Sequence, residues 1–228
     1  MRIDSSPAPG AGTTIVPHDG QRARVCAELY GFFAAALEYP DRELLALVRS
    51  GAVAARVRTL LETVHPALAA SIDDAALGDA GSGDELAIEY TRLFDACGGG
   101  APACCLNSSA GRGDARMAVL EELVRFYNHF GLTAADTPAN ELPDYLGTLL
   151  EFMYFLCERE AECREEGEDS GDFVRAQHDF LARHLAGWIP ALHEDLKRHA
   201  APRYYRELSR LGAAFVAEEA GRHAPTVR

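Results

Sequence analysis

The stretch from Pro143 to about Arg164 constrains the fold of this chain more than any other. Leu142, Leu146, Leu149, Leu150, Met153, Leu156 and Cys157 recur at helical spacing. Phe152, Tyr154 and Phe155 spread apolar surface around most of the remaining circumference. A helix that is apolar nearly all round has to be covered by other elements. The pattern predicts a bundle built around one central, largely buried helix, and a proline at its start suits the first helical position.

The rest of the chain supplies the covering helices. Val25, Leu29, Phe32, Phe33 and Ala36 mark one face of a helix over 21–39, which Pro40-Asp41 ends while starting the next. Further helical pieces run to about Ala70, and the small and acidic residues 71–83 read as a loop. Ser82-Gly-Asp-Glu85 is a capping-box pattern opening a helix through Leu86, Tyr90, Leu93 and Phe94. Residues 96–112 form a long Gly/Ala/Cys/Ser loop. After it, Asp114 is a candidate cap for a helix carrying Met117, Leu120, Val124 and Tyr127, with Gly131 as its C′ residue. Two or three helices, punctuated by Pro190 and Pro202, follow an acidic break at 165–172. No segment alternates with period two, so the expectation is all-α: a single-domain bundle of roughly eight to nine helices over 21–220. Residues 1–20 read as a disordered leader without the apolar core of an export signal, and residues 221–228 as a flexible tail.

With 35 acidic against 22 basic residues the chain carries a formal charge of −13. Such a surface repels phosphate backbones, which argues against nucleic-acid binding and is compatible with a cationic partner. No apolar run approaches the roughly 20 residues of a membrane span, so membrane insertion is not expected. Cys26, Cys97, Cys104, Cys105, Cys157 and Cys163 are too scattered for a disulfide scaffold in a chain of 228 residues, which fits reduced thiols in the cytoplasm.

The residues that would carry catalysis or hold a metal do not assemble in the sequence. A dinuclear site in a helical bundle needs two Glu-x-x-His elements, and the chain has one, Glu62-Thr-Val-His65. His178 and His184, like His193 and His199, are six residues apart, which on a helix separates the rings by about 120°. They read as surface or interface histidines. Cys104-Cys105, with Cys97 upstream, lacks the Cys-x-x-Cys spacing of zinc or thiol redox sites. Gly98-Gly99-Gly100 lacks the Lys-Ser/Thr of a phosphate loop. No catalytic residue, no metal ligand and no permanently bound cofactor is expected, and the chain reads as a non-enzyme. The alternative is a helical metal-binding or redox protein using the Cys97–Cys105 loop.

Projected from Pro143 at helical pitch, Asp144, Thr148, Glu151 and Phe155 fall opposite the core stripe, with Tyr145 and Phe152 beside them. Two readings stay open. Asp144 could serve the helix dipole and Glu151 an arginine such as Arg92, Arg112 or Arg116. Or the face could be a groove whose walls take apolar side chains of a peptide while its carboxylates take arginines.

At these residues the chain resembles a known family. Glu-Tyr-Thr-Arg-Leu-Phe (89–94), Arg-Phe-Tyr-Asn-His-Phe-Gly-Leu (125–132) and Glu-Leu-Pro-Asp-Tyr-Leu-Gly-Thr-Leu-Leu-Glu-Phe-Met-Tyr-Phe-Leu (141–156) are similar to the TorD/DmsD/NarJ redox-enzyme maturation chaperones. His-Leu-x-x-Trp-x-Pro (184–190) and Tyr-Tyr-Arg-Glu-Leu (204–208) match in the same order. The likeness runs over about 25–215 and is greatest to chaperones of the type II dimethyl sulfoxide reductase-like enzymes. It implies a TorD-like fold and a cytoplasmic, system-specific chaperone. Such a chaperone binds the catalytic subunit of a molybdoenzyme, assists insertion of the molybdenum cofactor, and holds back twin-arginine export until assembly. The implied partners are that subunit and its N-terminal twin-arginine signal peptide. Tyr127, Phe130, Leu142, Pro143, Tyr145 and Phe152 are the candidate apolar contacts, and Asp144 and Glu151 the candidate partners of client arginines. Arg112 and Arg116 could touch an anionic group, such as molybdopterin guanine dinucleotide carried transiently by the client. Two departures stand out: Tyr145 replaces the histidine of the family's Pro-Asp-His-Leu, and Cys104-Cys105-Leu106-Asn107-Ser108 lacks the carboxylate the family often has in that loop.

Overall fold

A computed structural model describes residues 19–95, 102–110, 112–133 and 142–223. Over them run α1 (Asp19–Ala36), α2 (Arg42–Arg49), α3 (Ala52–Val64), α4 (Pro66–Ala70), α5 (Asp74–Leu77) and α6 (Glu85–Phe94). After the loop come a 3-10 turn (Gly113–Ala115), α7 (Arg116–His129), α8 (Leu146–Glu166), α9 (Gly171–Phe180), a π-helical turn (Leu181–Leu185), α10 (Ile189–His199) and α11 (Arg203–His223). The all-α expectation is met; among the described residues the only β pairing is an isolated antiparallel bridge, Asn107 to Tyr145. The count exceeds eight to nine because the covering layer is broken into short pieces: α4 spans five residues, and α5 four within the expected 71–83 loop.

Helix α1 includes Asp19 and Gly20, the end of the expected leader, and α11 extends to His223. The leader's first 18 residues, Cys97, the Gly98–Gly100 triplet, Glu141 and residues 224–228 lie outside the described residues. No helix among the described residues is long and apolar enough to cross a membrane.

The core forms where α1, α8 and α11 meet. Helix α8 lies along α1 in the most extensive helix pairing of the bundle, as the apolar stripe requires. Leu29, Tyr30 and Phe33 of α1, Leu149, Met153 and Leu156 of α8, and Leu211 and Phe215 of α11 are all buried. Phe33 stacks on Phe215 at 5.8 Å between centroids and Tyr30 tilts against the same ring at 4.9 Å. Each such side chain stabilises the fold by roughly 1.5–3 kcal/mol through burial.

A buried polar cluster joins the same helices. Glu219 of α11 meets the Arg22 guanidinium of α1 at 2.5 Å and His65 Nε2 at 2.6 Å, and Arg22 also donates to the Val64 carbonyl at 3.0 Å. His65, of the lone Glu-x-x-His, is therefore engaged by Glu219, and the carboxylate ties α1 and α11 together.

Local signals were realised to different degrees. Asp41 caps α2, its carboxylate accepting from Leu44 N at 2.8 Å. Gly131 is the C′ residue of α7 at φ +77°, a conformation open to glycine at little cost. The capping box is half formed: Glu85 accepts from Ser82 N at 3.0 Å, but the Ser82 hydroxyl turns to the same carboxylate. Asp114 does not cap α7, because it lies inside the 3-10 turn. Helix α8 starts at Leu146 with Tyr145 as its cap, three residues later than Pro143 suggested.

Candidate functional site

The late start of α8 decides what Asp144 does. Asp144 sits in the turn before the helix, fully buried. Its Oδ1 accepts from Asn107 Nδ2 at 3.0 Å, and its Oδ2 from Ser109 N at 3.0 Å and the Ser109 hydroxyl at 2.5 Å. Backbone bonds run alongside, Ser108 N to the Asp144 carbonyl at 2.9 Å and Leu146 N to the Leu106 carbonyl at 2.8 Å. The carboxylate thus clasps the 102–110 loop to the entry of α8. Its expected role as partner of a client arginine is corrected: an enclosed carboxylate with three donors has no face to present.

A cleft of about 210 Å³ opens between α7 and α8, lined by Val124, Tyr127, Asn128, Leu132, Thr133, Pro143, Thr148, Glu151, Phe152 and Phe155. Tyr127, Pro143, Glu151 and Phe152 of the expected set come together there, with Thr148 and Phe155 from the projected face. Phe152 is buried and forms the floor: Tyr127 meets it edge-on at 4.9 Å, and Phe155 stacks beside it at 6.3 Å. Tyr127 donates to the Pro143 carbonyl at 2.7 Å, fixing the wall. Burial, reinforced by the charge of Asp144, pushes its phenol far up, so Tyr127 acts as a fixed donor. Glu151 is exposed at the rim, the one carboxylate among the lining residues.

The other expected residues lie elsewhere. Phe130 packs on Phe152 at 5.9 Å from behind and lines a more polar cleft between α7 and α9. Tyr145 is not among the lining residues; its ring covers Gly147, where an added Cβ would fall 2.8 Å from a ring carbon. Leu142 is exposed outside the lining, and Arg112 and Arg116 are exposed at and just beyond the 3-10 turn. Val124, Asn128, Leu132 and Thr133 were missed as site residues. The signal for Val124 was present: it follows Met117 by seven residues on α7, and both stay exposed.

Helix α7 is lightly anchored. Leu123 is its one buried residue. The rest of its hold comes from half-buried rings, Phe126 against Phe180 at 5.5 Å and Tyr127 against Phe152. Beneath Phe126 lies His184, whose side chain is 4% exposed, so of the surface-or-interface reading the surface half is excluded.

Cys104 is buried, and burial raises its thiol to about 11; Cys105 is half-buried. A thiol held this high is a poor nucleophile near neutral pH.

Residues 52–194 match the family model described as nitrate reductase delta subunit. The chain belongs to that family. The match reaches from α3 into α10 and contains the whole α7–α8 cleft, and it bears out the resemblance to the TorD/DmsD/NarJ group at the level of the family. Similar proteins include the chlorate reductase assembly chaperone protein of Ideonella dechloratans, 38% identical over 125 residues (54% of this chain, 62% of the relative). The selenate reductase assembly chaperone protein of Thauera selenatis is 38% identical over 115 residues (50% and 58%). The perchlorate reductase assembly chaperone protein of Dechloromonas aromatica strain RCB is 39% identical over 101 residues (44% and 45%). The aligned stretches thus span less than two thirds of each relative's length.

Proposed function

We propose that this protein is an assembly chaperone, not a catalyst, for the catalytic subunit of a molybdenum-containing reductase, and that it grips a client segment in the α7–α8 cleft. The single observation that carries the reading is the cleft: an aromatic-floored trough with one carboxylate, Glu151, at its rim. Its volume of about 210 Å³ suits one or two bulky apolar side chains, and the carboxylate suits a neighbouring client arginine. The relatives' names, each an assembly chaperone of an oxyanion reductase, support the client class.

Holding the client in the cytoplasm allows two consequences. The subunit stays open while the molybdenum cofactor is inserted, and its twin-arginine signal peptide is kept from the export machinery. Arg112, before the 3-10 turn, and Arg116, the first residue of α7, are exposed and would meet an anionic group of the client or its cofactor.

Site-specific crosslinking tests the cleft. A photoreactive residue at Val124 should capture the catalytic subunit in cells, and one at Ile88, 68% exposed on α6, should not. Capture of that subunit from Ile88 and not from Val124 would overturn the assignment.

A further inference from the structure

His184 stands on the π-helical turn between the cleft-bearing helix α7 and the bundle. Its ring meets Phe126 edge-on at 5.6 Å and Phe180 at 5.0 Å. Its Nε2 is buried without a hydrogen-bond partner among the described residues and stops 3.9 Å short of Glu122 Oε1 on α7. Glu122 is meanwhile held by Arg183 Nη1 at 2.8 Å. The charged groups facing His184 are Glu122 from α7, Arg183 from its own turn and Arg112 from the turn leading into α7.

We propose that His184 is a pH-sensitive pin, holding α7 against the bundle while its imidazole is neutral and releasing the helix when it is protonated. A neutral ring suits an aromatic slot. An imidazolium carries a donor on both ring nitrogens, and leaving it buried without a partner is costly. Relief takes one of two movements. Glu122 can close the gap by about 1 Å to reach hydrogen-bond distance, leaving Arg183, or the ring can leave its slot. The first trades the Glu122–Arg183 bond for an ion pair and leaves α7 in place; the second takes the ring from beneath Phe126 and frees α7, which has one buried side chain to resist it.

Burial lowers the imidazole pKa below its ordinary 6.5; Glu122 opposes this, and Arg183 and Arg112 add to it. The sign follows. The neutral form is favoured in the folded state, so the pin's contribution is complete above about pH 6.5 and is lost as pH falls from there toward the folded value. Val124, Tyr127 and Asn128 form the α7 wall of the cleft. Resting on the client reading of that cleft, the pin then sets grip by pH: firm near neutrality, loose in acid.

Amide hydrogen exchange of the full chain at pH 7.5 and 5.5, corrected for intrinsic exchange, tests the pin with α8 as internal reference. Protection of α7 should fall at least fivefold relative to α8 on acidification, tracking the His184 imidazole titration followed by NMR. Glu122→Gln, which removes the one charge that raises this pKa, should move the midpoint to lower pH. His184→Phe, which keeps a ring in the slot, should abolish the pH dependence. Constant α7 protection in the wild type, or an unshifted midpoint in Glu122→Gln, would overturn the pin, and so would an undiminished acid response in His184→Phe. If His184→Phe does not fold, the first two readings still decide. Titration with the N-terminal peptide of the co-purifying catalytic subunit separates the two ideas: a pH-responsive α7 with pH-independent peptide affinity overturns the cleft as client site and leaves the pin standing.

Discussion

Ser109 gives Asp144 two hydrogen bonds, from its backbone N–H at 3.0 Å and its hydroxyl at 2.5 Å, and both land on Oδ2. With Asn107 on the other oxygen, the buried carboxylate fastens a loop to the start of the central helix. The most family-like stretch of the sequence therefore contains a residue whose work is architectural.

Asp144→Asn should destabilise the protein by about 2–3 kcal/mol, because it removes a charge-assisted acceptor and turns an amide donor toward donors. For a chain of this size that is a fall of roughly 5–10 °C in melting temperature. Affinity of the folded variant for a client peptide should stay within about twofold. Thermal unfolding beside calorimetric titration reads both, and an unchanged melting temperature with lost affinity would restore Asp144 to the client interface.

Glu151 and Val124 should behave in the opposite way. Both are exposed at the cleft, so Glu151→Gln and Val124→Asp should move the melting temperature by only a few degrees. A charge-assisted bond to arginine contributes about 1.5–3 kcal/mol, so Glu151→Gln should weaken client-peptide binding by about tenfold or more. Val124→Asp should weaken it by a similar factor by placing a charge on an apolar wall. Binding unchanged in both variants would remove the cleft from the account.

Much of this was legible in the sequence and some was not, for physical reasons. The all-round apolar character of 142–157 fixed α8 as the centre, because burial is the only use for such a surface. Glu151 and Phe152 share the cleft with Thr148 and Phe155 because helical periodicity places neighbouring faces together, while Tyr127 comes from another helix that the projection did not contain. Asp144 was misplaced because the projection assumed helix from Pro143, and three residues of turn at the start rotate every earlier position off the face. Whether a carboxylate is free or enclosed depends on the 102–110 loop, whose course no periodicity encodes. For His184 the reading stopped at surface or interface for a similar reason: its burial depends on Phe126 of another helix.

Glu219 supplies an acid-stability prediction. Burial alone would raise its pKa, but the His65 hydrogen bond and the charges of Arg22 and Arg222 outweigh it, leaving the carboxyl below its ordinary 4.5. A depressed carboxyl contributes stability above about pH 4.5 that is lost as pH falls through the folded value. Glu219→Gln should cost about 3 kcal/mol at neutral pH by leaving the half-buried Arg22 beside a neutral group, and should flatten the acid limb of stability. Urea unfolding from pH 7 down to about pH 2.5 reads both, and parallel wild-type and variant curves would contradict the pairing.

The central claim, that the chain matures a molybdenum enzyme, is tested most directly by the metal content of the client. The catalytic subunit that co-purifies with this protein would be isolated from a strain lacking the chaperone and from its complemented parent, and molybdenum measured per subunit by mass spectrometry. The account predicts a subunit made but nearly empty of molybdenum in the deletion strain, restored by the wild-type chaperone and poorly by Val124→Asp. A full complement of molybdenum without the chaperone would contradict it.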